Sequence, residues 1–199
     1  MFQPLILASE SASRKAMLTA AGVPFTAMAA HIDETAILES MRAADAKPRD
    51  IADALAELKA LKISRGVSGA YVLGGDQILD CDGRLYEKAR SIEEARENLL
   101  SLRGKKHRLT SAAVIAREGA AIWRHADEAW LTMRPFTDDF LESYMKAAGS
   151  ILTAGAGAYA IEGLGVQLFA QIRGDAFTIQ GLPLAPVLEA LRTYGVIQI

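Results

Sequence analysis

A short apolar segment near the N-terminus runs into a group of hydroxyls and cations. The residues LILASESASRK (5–15) predict a buried strand, a turn and the start of a helix. Ser9, Ser11 and Ser13 alternate along the turn, and Arg14 follows them. Backbone N–H groups at a helix start attract anions, and hydroxyls and a guanidinium add further donors. The segment predicts a site for a phosphate group, with the alternative that one serine caps the helix and the others are solvated.

Further along the chain, carboxylates and lysines are dispersed over several predicted elements and turns. The candidates are Asp33, Glu34, Lys59, Asp76, Lys88 and Glu162. Magnesium prefers one or two carboxylates together with the oxygens of a bound polyphosphate. Combined with the anion site, the set predicts a site for a divalent metal and a polyphosphate, with Asp76 at the end of a strand. The alternative is that Asp33 caps a helix, Asp76 caps a turn and the lysines are solvated.

Several segments resemble known ligand-binding or catalytic motifs, but the residues around them do not fit those motifs. GAGAYA (155–160) fits a glycine pattern of dinucleotide-binding turns, but the strand-like IEGLGVQLF follows it instead of a helix. A calcium loop around Gly83 fails because Ile78 and Ala89 would occupy its first and last ligand positions. The three histidines lack zinc-ligand spacing and are interpreted as surface or structural residues, and no G-x-S-x-G elbow is present. These observations argue against a Rossmann dehydrogenase, a calcium or zinc protein and a serine hydrolase.

Length and composition indicate the broad class of protein. The 199 residues are 51% hydrophobic and 23% charged, which is the balance of a globular chain with a substantial core. The formal net charge of −2 gives no global field that would hold nucleic acid or an anionic membrane. Cys81 is the single cysteine, the N-terminus lacks the basic lead of a signal peptide, and no apolar run reaches the roughly 18 residues of a membrane span. We therefore expect a cytoplasmic protein without nucleic-acid or membrane partners.

Strands that alternate with helices must position the candidate residues. Apolar patterns and turn signals predict strands over 5–8, 23–30, 71–73, 107–116 and 121–133. Helices are predicted over 12–21, from 51 to near 66, and over 91–104, 137–149 and 183–194. Asp82-Gly83 predicts a hairpin turn, and the C-terminal part before the last helix predicts short strands. Together these elements predict an α/β protein with a mixed sheet and flanking helices.

The order of the motifs resembles the Maf family of nucleotide pyrophosphatases, the house-cleaning enzymes also called septum formation inhibitor proteins. The matching segments are LILASESASRK (5–15), IDET (32–35), LAELKA (55–60), VLGGDQ (72–77), EK (87–88), LRGKKH (102–107), AGAYAIEGLG (156–165) and IRGDAFTIQGLPL (172–184). They span nearly the whole chain in the family's order. The resemblance implies a single Maf-like domain over 1–199, with a Maf/ITPase-like fold of two lobes around a deep cleft.

The resemblance also implies an activity and its residues. We expect a hydrolase that converts a nucleoside triphosphate to a monophosphate and pyrophosphate with a divalent metal, Mg²⁺ or Mn²⁺, in a homodimer. Asp76 stands where the family has its proposed proton acceptor, and Glu34, together with Asp76, is expected to hold the metal. The residues expected to bind the phosphates are Ser9, Arg14, Lys59 and Lys88.

The residues expected to set base specificity are Ser13, Gln77 and Glu162. Glu162 replaces the glutamine of members that act on dTTP and UTP, Gln77 replaces a threonine, and EGLGVQLF resembles the branch that acts on 7-methyl-GTP. A methylated guanine is cationic, which suits a carboxylate and aromatic stacking. Ser13, however, stands where that branch has tryptophan and the pyrimidine branch has arginine, and Glu87-Lys88-Ala89 replaces the usual Gly-Lys-Pro. The sequence is closer to the 7-methyl-GTP branch and leaves the preferred base open.

Two other functions stay open at this point. The chain could be a nucleotide-binding regulator of cell division and septum formation with little turnover, or a protein-interaction module. The retained Arg14, Glu34 and Asp76 favour an enzyme, because a pure binder could lose the water-activating carboxylate. Nucleotide and magnesium should raise the thermal stability of a nucleotide-binding protein, but not that of an interaction module.

Overall fold

A computed structural model describes residues 3–198 and has an α/β fold. The strands are β1 (Leu5–Leu7), β2 (Thr26–Ala27), β3 (Tyr71–Cys81), β4 (Arg84–Tyr86), β5 (Lys106–Arg117), β6 (Ala120–Met133) and β7 (Phe169–Arg173). The helices are α1 (Ala12–Ala20), α2 (Glu34–Ala43), α3 (Pro48–Ser64), α4 (Ile92–Leu102), α5 (Asp138–Ala148), α6 (Ala176–Gln180) and α7 (Leu184–Thr193). Short 3-10 helices cover Gly149–Thr153 and Leu164–Leu168.

The strands form a mixed sheet in the order β2-β1-β3-β5-β6-β7, and β4 pairs with β3. β1 runs parallel to β2 and β3, whereas β3 pairs antiparallel with β4, and β6 with β7. The predicted mixed sheet with flanking helices is confirmed. The predicted hairpin is confirmed as well, because Asp82 and Gly83 have φ values of 53° and 81°, as a two-residue turn between twisted strands requires.

At β1 the connections to the neighbouring strands lead in opposite directions across the sheet, first to β2 on one side and then to β3 on the other. α1 leads from β1 to β2 on one side, whereas α2 and α3 lead from β2 past β1 to β3 on the other. Because parallel crossovers are right-handed, opposite directions place these helices on opposite faces. Met17 and Leu18 of α1 accordingly share a buried core with Leu73 of β3 and Leu191 of α7. Ligands of α/β sheets bind at such a switch point. The turn after β1 is therefore the expected position of a ligand site.

Gly74 of β3 allows α3 to pack directly on the other face of the sheet. A Cβ atom built on Gly74 would overlap the carbonyl oxygen of Ala56 and would lie 2.9 Å from the amide nitrogen of Ala60. The overlapping atom belongs to the helix backbone, which cannot turn aside as a side chain can. Gly74 therefore sets the distance between β3 and the helix that carries Lys59.

Gly74→Ala should lower the free energy of unfolding by about 3 kcal/mol, because α3 must shift to admit the methyl group. Urea denaturation followed by circular dichroism measures the change. Gly66→Ala is the matched control, since the nearest atom to a Cβ there is 3.6 Å away and Gly66 has no left-handed φ. The control should change the free energy by less than about 0.5 kcal/mol, and equal stabilities of the two variants would contradict this packing argument.

The described chain divides into two compact units. The first takes in the described residues of Met1–Gln77, Thr110–Asp127 and Ala176–Ile199, and the second takes in Ile78–Leu109 and Glu128–Asp175. In the second unit His107 is fully buried, and its Nε2 lies 2.7 Å from the hydroxyl of Tyr159. Burial lowers the pKa of His107 to about 4, so this histidine is neutral at neutral pH and structural. The single domain over 1–199 and its cleft stay predictions.

Three segments differ from the predicted elements. The strand predicted over 23–30 is limited to Thr26–Ala27, because β2 is an edge strand that pairs only with the short β1. β3 continues through the glycines to Cys81, so Asp76 lies inside a strand, neither at its end nor capping a turn. The glycine-rich C-terminal part contains 3-10 helices and α6 in addition to β7. Within residues 3–198, none of the helices combines the length and apolarity that crossing a membrane requires.

Candidate active site

The turn after β1 holds its hydroxyls and Arg14 together. Ser11 caps α1 and accepts a hydrogen bond from the Arg14 amide at 3.4 Å, so the capping alternative is confirmed for this serine. Ser9 Oγ accepts hydrogen bonds from the Ser11 amide and from Arg14 Nη1, each at 3.2 Å. Ser13 is partly buried in the first turn of α1. The structure thus brings Ser9, Ser13 and Arg14 to the carboxyl end of β1.

Arg14 is a buried cation that connects distant parts of the first unit. The residue is only 8% exposed, and its Nε donates a hydrogen bond to the Gly181 carbonyl oxygen at 2.8 Å. Burial lowers the pKa of Arg14 from its ordinary value, whereas the charges of Asp76 and Glu34 raise it. Two nearby carboxylates therefore compensate the charge of this guanidinium.

Lys59 of α3 joins two carboxylates that are distant in the sequence. Its Nζ lies 2.6 Å from Asp76 Oδ1 and 2.9 Å from Glu34 Oε1. Asp76 is 6% exposed, whereas the Glu34 side chain is 55% exposed at the start of α2. Burial raises the pKa of Asp76, and Lys59 and Arg14 oppose this increase. The neighbouring Asp33 caps α2 and accepts a hydrogen bond from the Ala36 amide at 3.0 Å, as its capping alternative predicted.

The sequence Gly74-Gly75-Asp76 fits these groups because strand residues alternate between the two faces. Gly74 and Asp76 face α3, whereas Gly75 faces Arg14, and a Cβ built on Gly75 would lie 3.2 Å from Arg14 Nε. Gly74 therefore leaves room for α3, and Gly75 leaves room for the Arg14 side chain. The two glycines let α3, which carries Lys59, and the Arg14 guanidinium approach the same short stretch of β3 from opposite faces.

Gln77 contacts residues that sequence reasoning missed. Its Nε2 donates to Ser111 Oγ, to the Thr178 carbonyl and to the Ile179 carbonyl, all at 3.0 Å. Ser111 lies in β5, and the two carbonyls belong to α6. The segment IRGDAFTIQGLPL (172–184) contributed to the family resemblance, but no residue type in it suggested a site, because its contribution is made through backbone carbonyls.

The other two candidates, Lys88 and Glu162, belong to the second unit. Lys88 follows β4 and is exposed. Glu162 is exposed in the turn before the 3-10 helix Leu164–Leu168. Their participation in the site stays a prediction.

The carboxylates suit a metal that arrives with other ligands. Among residues 3–198, no cluster of three or more histidine, cysteine or acidic side chains could hold a metal ion. Glu34 and Asp76 nevertheless approach one nitrogen atom, that of Lys59, within 3 Å. Magnesium is commonly bound by one or two carboxylates with the remaining ligands from substrate phosphates and water. The residues therefore fit a divalent ion whose coordination is completed by a polyphosphate.

The fold and site define an α/β protein in which a turn with hydroxyls and a buried arginine, and two carboxylates that contact one lysine, lie at a topological switch point. The family model described as "Maf: Maf-like protein" matches residues 4–194. The chain belongs to the Maf family, and the resemblance seen in the sequence is confirmed.

Curated relatives match over almost the entire chain. A protein of Rhodospirillum rubrum named nucleoside triphosphate pyrophosphatase is 50% identical, over 98% of this chain and 96% of its own length. One of Caulobacter vibrioides with the same name is 48% identical, over 98% of each chain. A 7-methyl-GTP pyrophosphatase of Rhizobium meliloti is 46% identical, over 97% of each chain. Relatives with both names thus have similar identity to this chain.

Proposed function

We propose that the protein is a nucleoside triphosphate pyrophosphatase, a hydrolase that cleaves the phosphoanhydride bond between the α and β phosphoryl groups. The observation that carries the proposal is the contact of Lys59 with both Asp76 and Glu34, near the buried Arg14. This is a compact set of charges suited to holding a polyphosphate and activating water. The names of the relatives support the same activity. The two compact units act as one Maf-like domain in this proposal.

The cations and hydroxyls bind the phosphate oxygens. Arg14 can donate two parallel hydrogen bonds to a phosphate, and its contact with Ser9 Oγ presents the hydroxyl beside it. Lys59 supplies a compact positive charge, and Lys88 of the second unit is the further cation. Such fixed charges stabilise the charge that develops on oxygen during the reaction.

Asp76 acts on the water molecule. Asp76 orients a water molecule toward the α-phosphorus and accepts its proton as the new P–O bond forms. The bond to the departing pyrophosphate breaks in the same displacement, which leaves a nucleoside monophosphate. Glu34 and Asp76 would hold the divalent ion, and this ion, when bound, lowers the pKa of water and neutralises phosphate charge. Metal binding would lower the proton affinity of Asp76. Asp76 therefore acts mainly by positioning the water molecule, and proton acceptance is its second role.

Glu34→Gln should raise the Mg²⁺ or Mn²⁺ concentration needed for half-maximal activity about 10-fold, because an amide is a weaker ligand for a hard cation. Metal titrations of pyrophosphate release, at saturating nucleotide, measure this shift. Glu39→Gln is the matched control on the exposed surface of the same helix and should leave the metal requirement unchanged. If the Glu34→Gln variant needed the same metal concentration as the wild type, Glu34 would not be a metal ligand.

The favoured substrate is a modified purine nucleotide such as 7-methyl-GTP. The exposed carboxylate of Glu162 suits the positive charge of the methylated ring, and one group of relatives carries this name. Ser13 and Gln77 contribute to the choice of base from the first unit. The cytoplasmic location and the homodimer stay predictions.

Pyrophosphate release from a panel of nucleotides tests the proposed function. The panel contains GTP, 7-methyl-GTP, dTTP, UTP and ATP, each with Mg²⁺ or Mn²⁺. We expect release from at least one nucleotide, with one pyrophosphate formed for each monophosphate. A nucleotide-dependent increase in melting temperature without release would instead support the regulator of cell division, and no response of either kind would contradict nucleotide binding.

A further inference from the structure

We infer that Ser111 is a positioning residue that fixes the amide of Gln77, so that Gln77 offers the substrate its carbonyl oxygen and not its nitrogen. The inference rests on the proposed function, in which Gln77 contributes to substrate choice. It deepens that function by naming the kind of group that Gln77 can recognise.

The amide nitrogen of Gln77 is held by acceptors inside the protein. Nε2 lies 3.0 Å from the carbonyl oxygens of Thr178 and Ile179 at the C-terminal end of α6. Main-chain carbonyls can only accept hydrogen bonds, so the nitrogen must face them. The side-chain oxygen is thereby directed to the other side of the amide.

Ser111 completes this arrangement from the neighbouring strand. Its side chain is fully buried, and its hydroxyl donates to the Thr178 carbonyl at 2.7 Å. Because the hydroxyl proton is used in that bond, Ser111 Oγ acts as an acceptor for Gln77 Nε2 at 3.0 Å. One hydroxyl thus connects α6, β5 and the amide of Gln77, and opposes rotation of the amide.

The side-chain oxygen of Gln77 borders the same space beside Gly181 as Arg14 does. A Cβ built on Gly181 would be 3.6 Å from Arg14 Nη2 and 3.8 Å from Gln77 Oε1, so both atoms border the space that this glycine leaves open. The oxygen can only accept, and the substrate group that meets it must carry an N–H or O–H. Such groups are the amino or imino groups of a base and the ribose hydroxyls. A nucleotide that presents a lone pair or a methyl group there is disfavoured, because it excludes water from the acceptor without replacing the hydrogen bond.

The test compares kcat/KM for GTP, 7-methyl-GTP, dTTP and UTP, and selectivity is the ratio of the best to the poorest substrate. Ser111→Ala removes one of the three acceptors that hold Nε2, so the amide is held less rigidly and the selectivity should fall about 10-fold. Gln77→Ala should lower it at least as much. The double variant should match Gln77→Ala, because Ser111 acts through Gln77, whereas independent effects would add.

The control is Thr110→Val on the same strand. Thr110 is buried, and its hydroxyl has no hydrogen-bond partner within residues 3–198, so the wild-type selectivity should persist. If Ser111→Ala fails to fold, Gln77→Glu replaces it. The second carboxylate oxygen cannot donate to the Thr178 and Ile179 carbonyls, and the same loss of selectivity is expected.

The outcomes separate the inference from the proposed function. An active wild type contradicts the inference alone if it has no selectivity, if Ser111→Ala or its replacement keeps the wild-type ratio, or if the two effects add. A wild type that releases pyrophosphate from none of the nucleotides contradicts the proposed function, and the inference falls with it.

Discussion

Asp76→Asn should reduce kcat for pyrophosphate release about 10³-fold, which is within the range for loss of a positioned proton acceptor. Asparagine has the same shape but cannot take a proton from water, and its amide is a poorer ligand for a divalent ion. The buried Asp76 is also the closest anionic partner of Lys59, at 2.6 Å, so the substitution also disturbs the cation that is proposed to bind phosphate. Steady-state kinetics with the preferred nucleotide measures the loss.

Asp82→Asn is the matched control for this substitution. Asp82 is exposed in the hairpin that follows β3 and has a φ of 53°, a conformation that asparagine adopts readily. The control should keep wild-type activity, and circular dichroism should show that both variants are folded. If a folded Asp76→Asn variant kept more than about one tenth of the wild-type kcat, the role of Asp76 as proton acceptor would be wrong.

Lys59→Met should lower kcat/KM about 10²-fold, because it removes a fixed charge from the position where phosphate oxygens are proposed to bind. Methionine retains most of the length of the buried side chain, so packing of α3 is disturbed little. Lys62→Met is the control, since Lys62 is exposed on the same helix and should have wild-type kinetics.

The same variant should change the pH dependence in a defined direction. Burial raises the pKa of Asp76, whereas Lys59 and Arg14 lower it. Loss of Lys59 removes one lowering contribution, so the pKa of Asp76 increases further. Water activation requires the ionised carboxylate. The value of kcat/KM is therefore highest above this pKa and decreases as the pH falls through it. The acid limb of the Lys59→Met profile should therefore lie at higher pH than that of the wild type. An unshifted limb would show that Lys59 does not influence the ionisation of Asp76 during the reaction.

Local features of the fold could be predicted because they depend on neighbouring residues. Ser11 and Asp33 both cap helices, and their types and the helical patterns after them are visible in the sequence. The Asp82-Gly83 hairpin is equally local. The position of Asp76 inside β3 was missed, because paired glycines usually end a strand. Here close packing by α3 and Arg14 against Gly74 and Gly75 overrides that preference.

Long-range contacts limited what the sequence could indicate about the site. The residue types at Arg14, Glu34, Lys59 and Asp76 suggested phosphate and metal chemistry, but the contact of one lysine with both carboxylates depends on how α2 and α3 pack beside β3. The network of Gln77 depends on partners 34, 101 and 102 residues away. Two of these partners are backbone carbonyls, which every residue type carries, so no residue pattern marks them.

The four charges on which the site depends balance in the resting protein. The formal charges of Arg14 and Lys59 are two positive charges, and those of Asp76 and Glu34 are two negative charges, so the formal charges of this group sum to zero. A group of side chains whose formal charges cancel offers little attraction to a bare polyanion. Under the proposed function, we therefore expect the nucleotide to bind as its magnesium or manganese salt, and free triphosphate in excess of the cation should bind as a weak competitor.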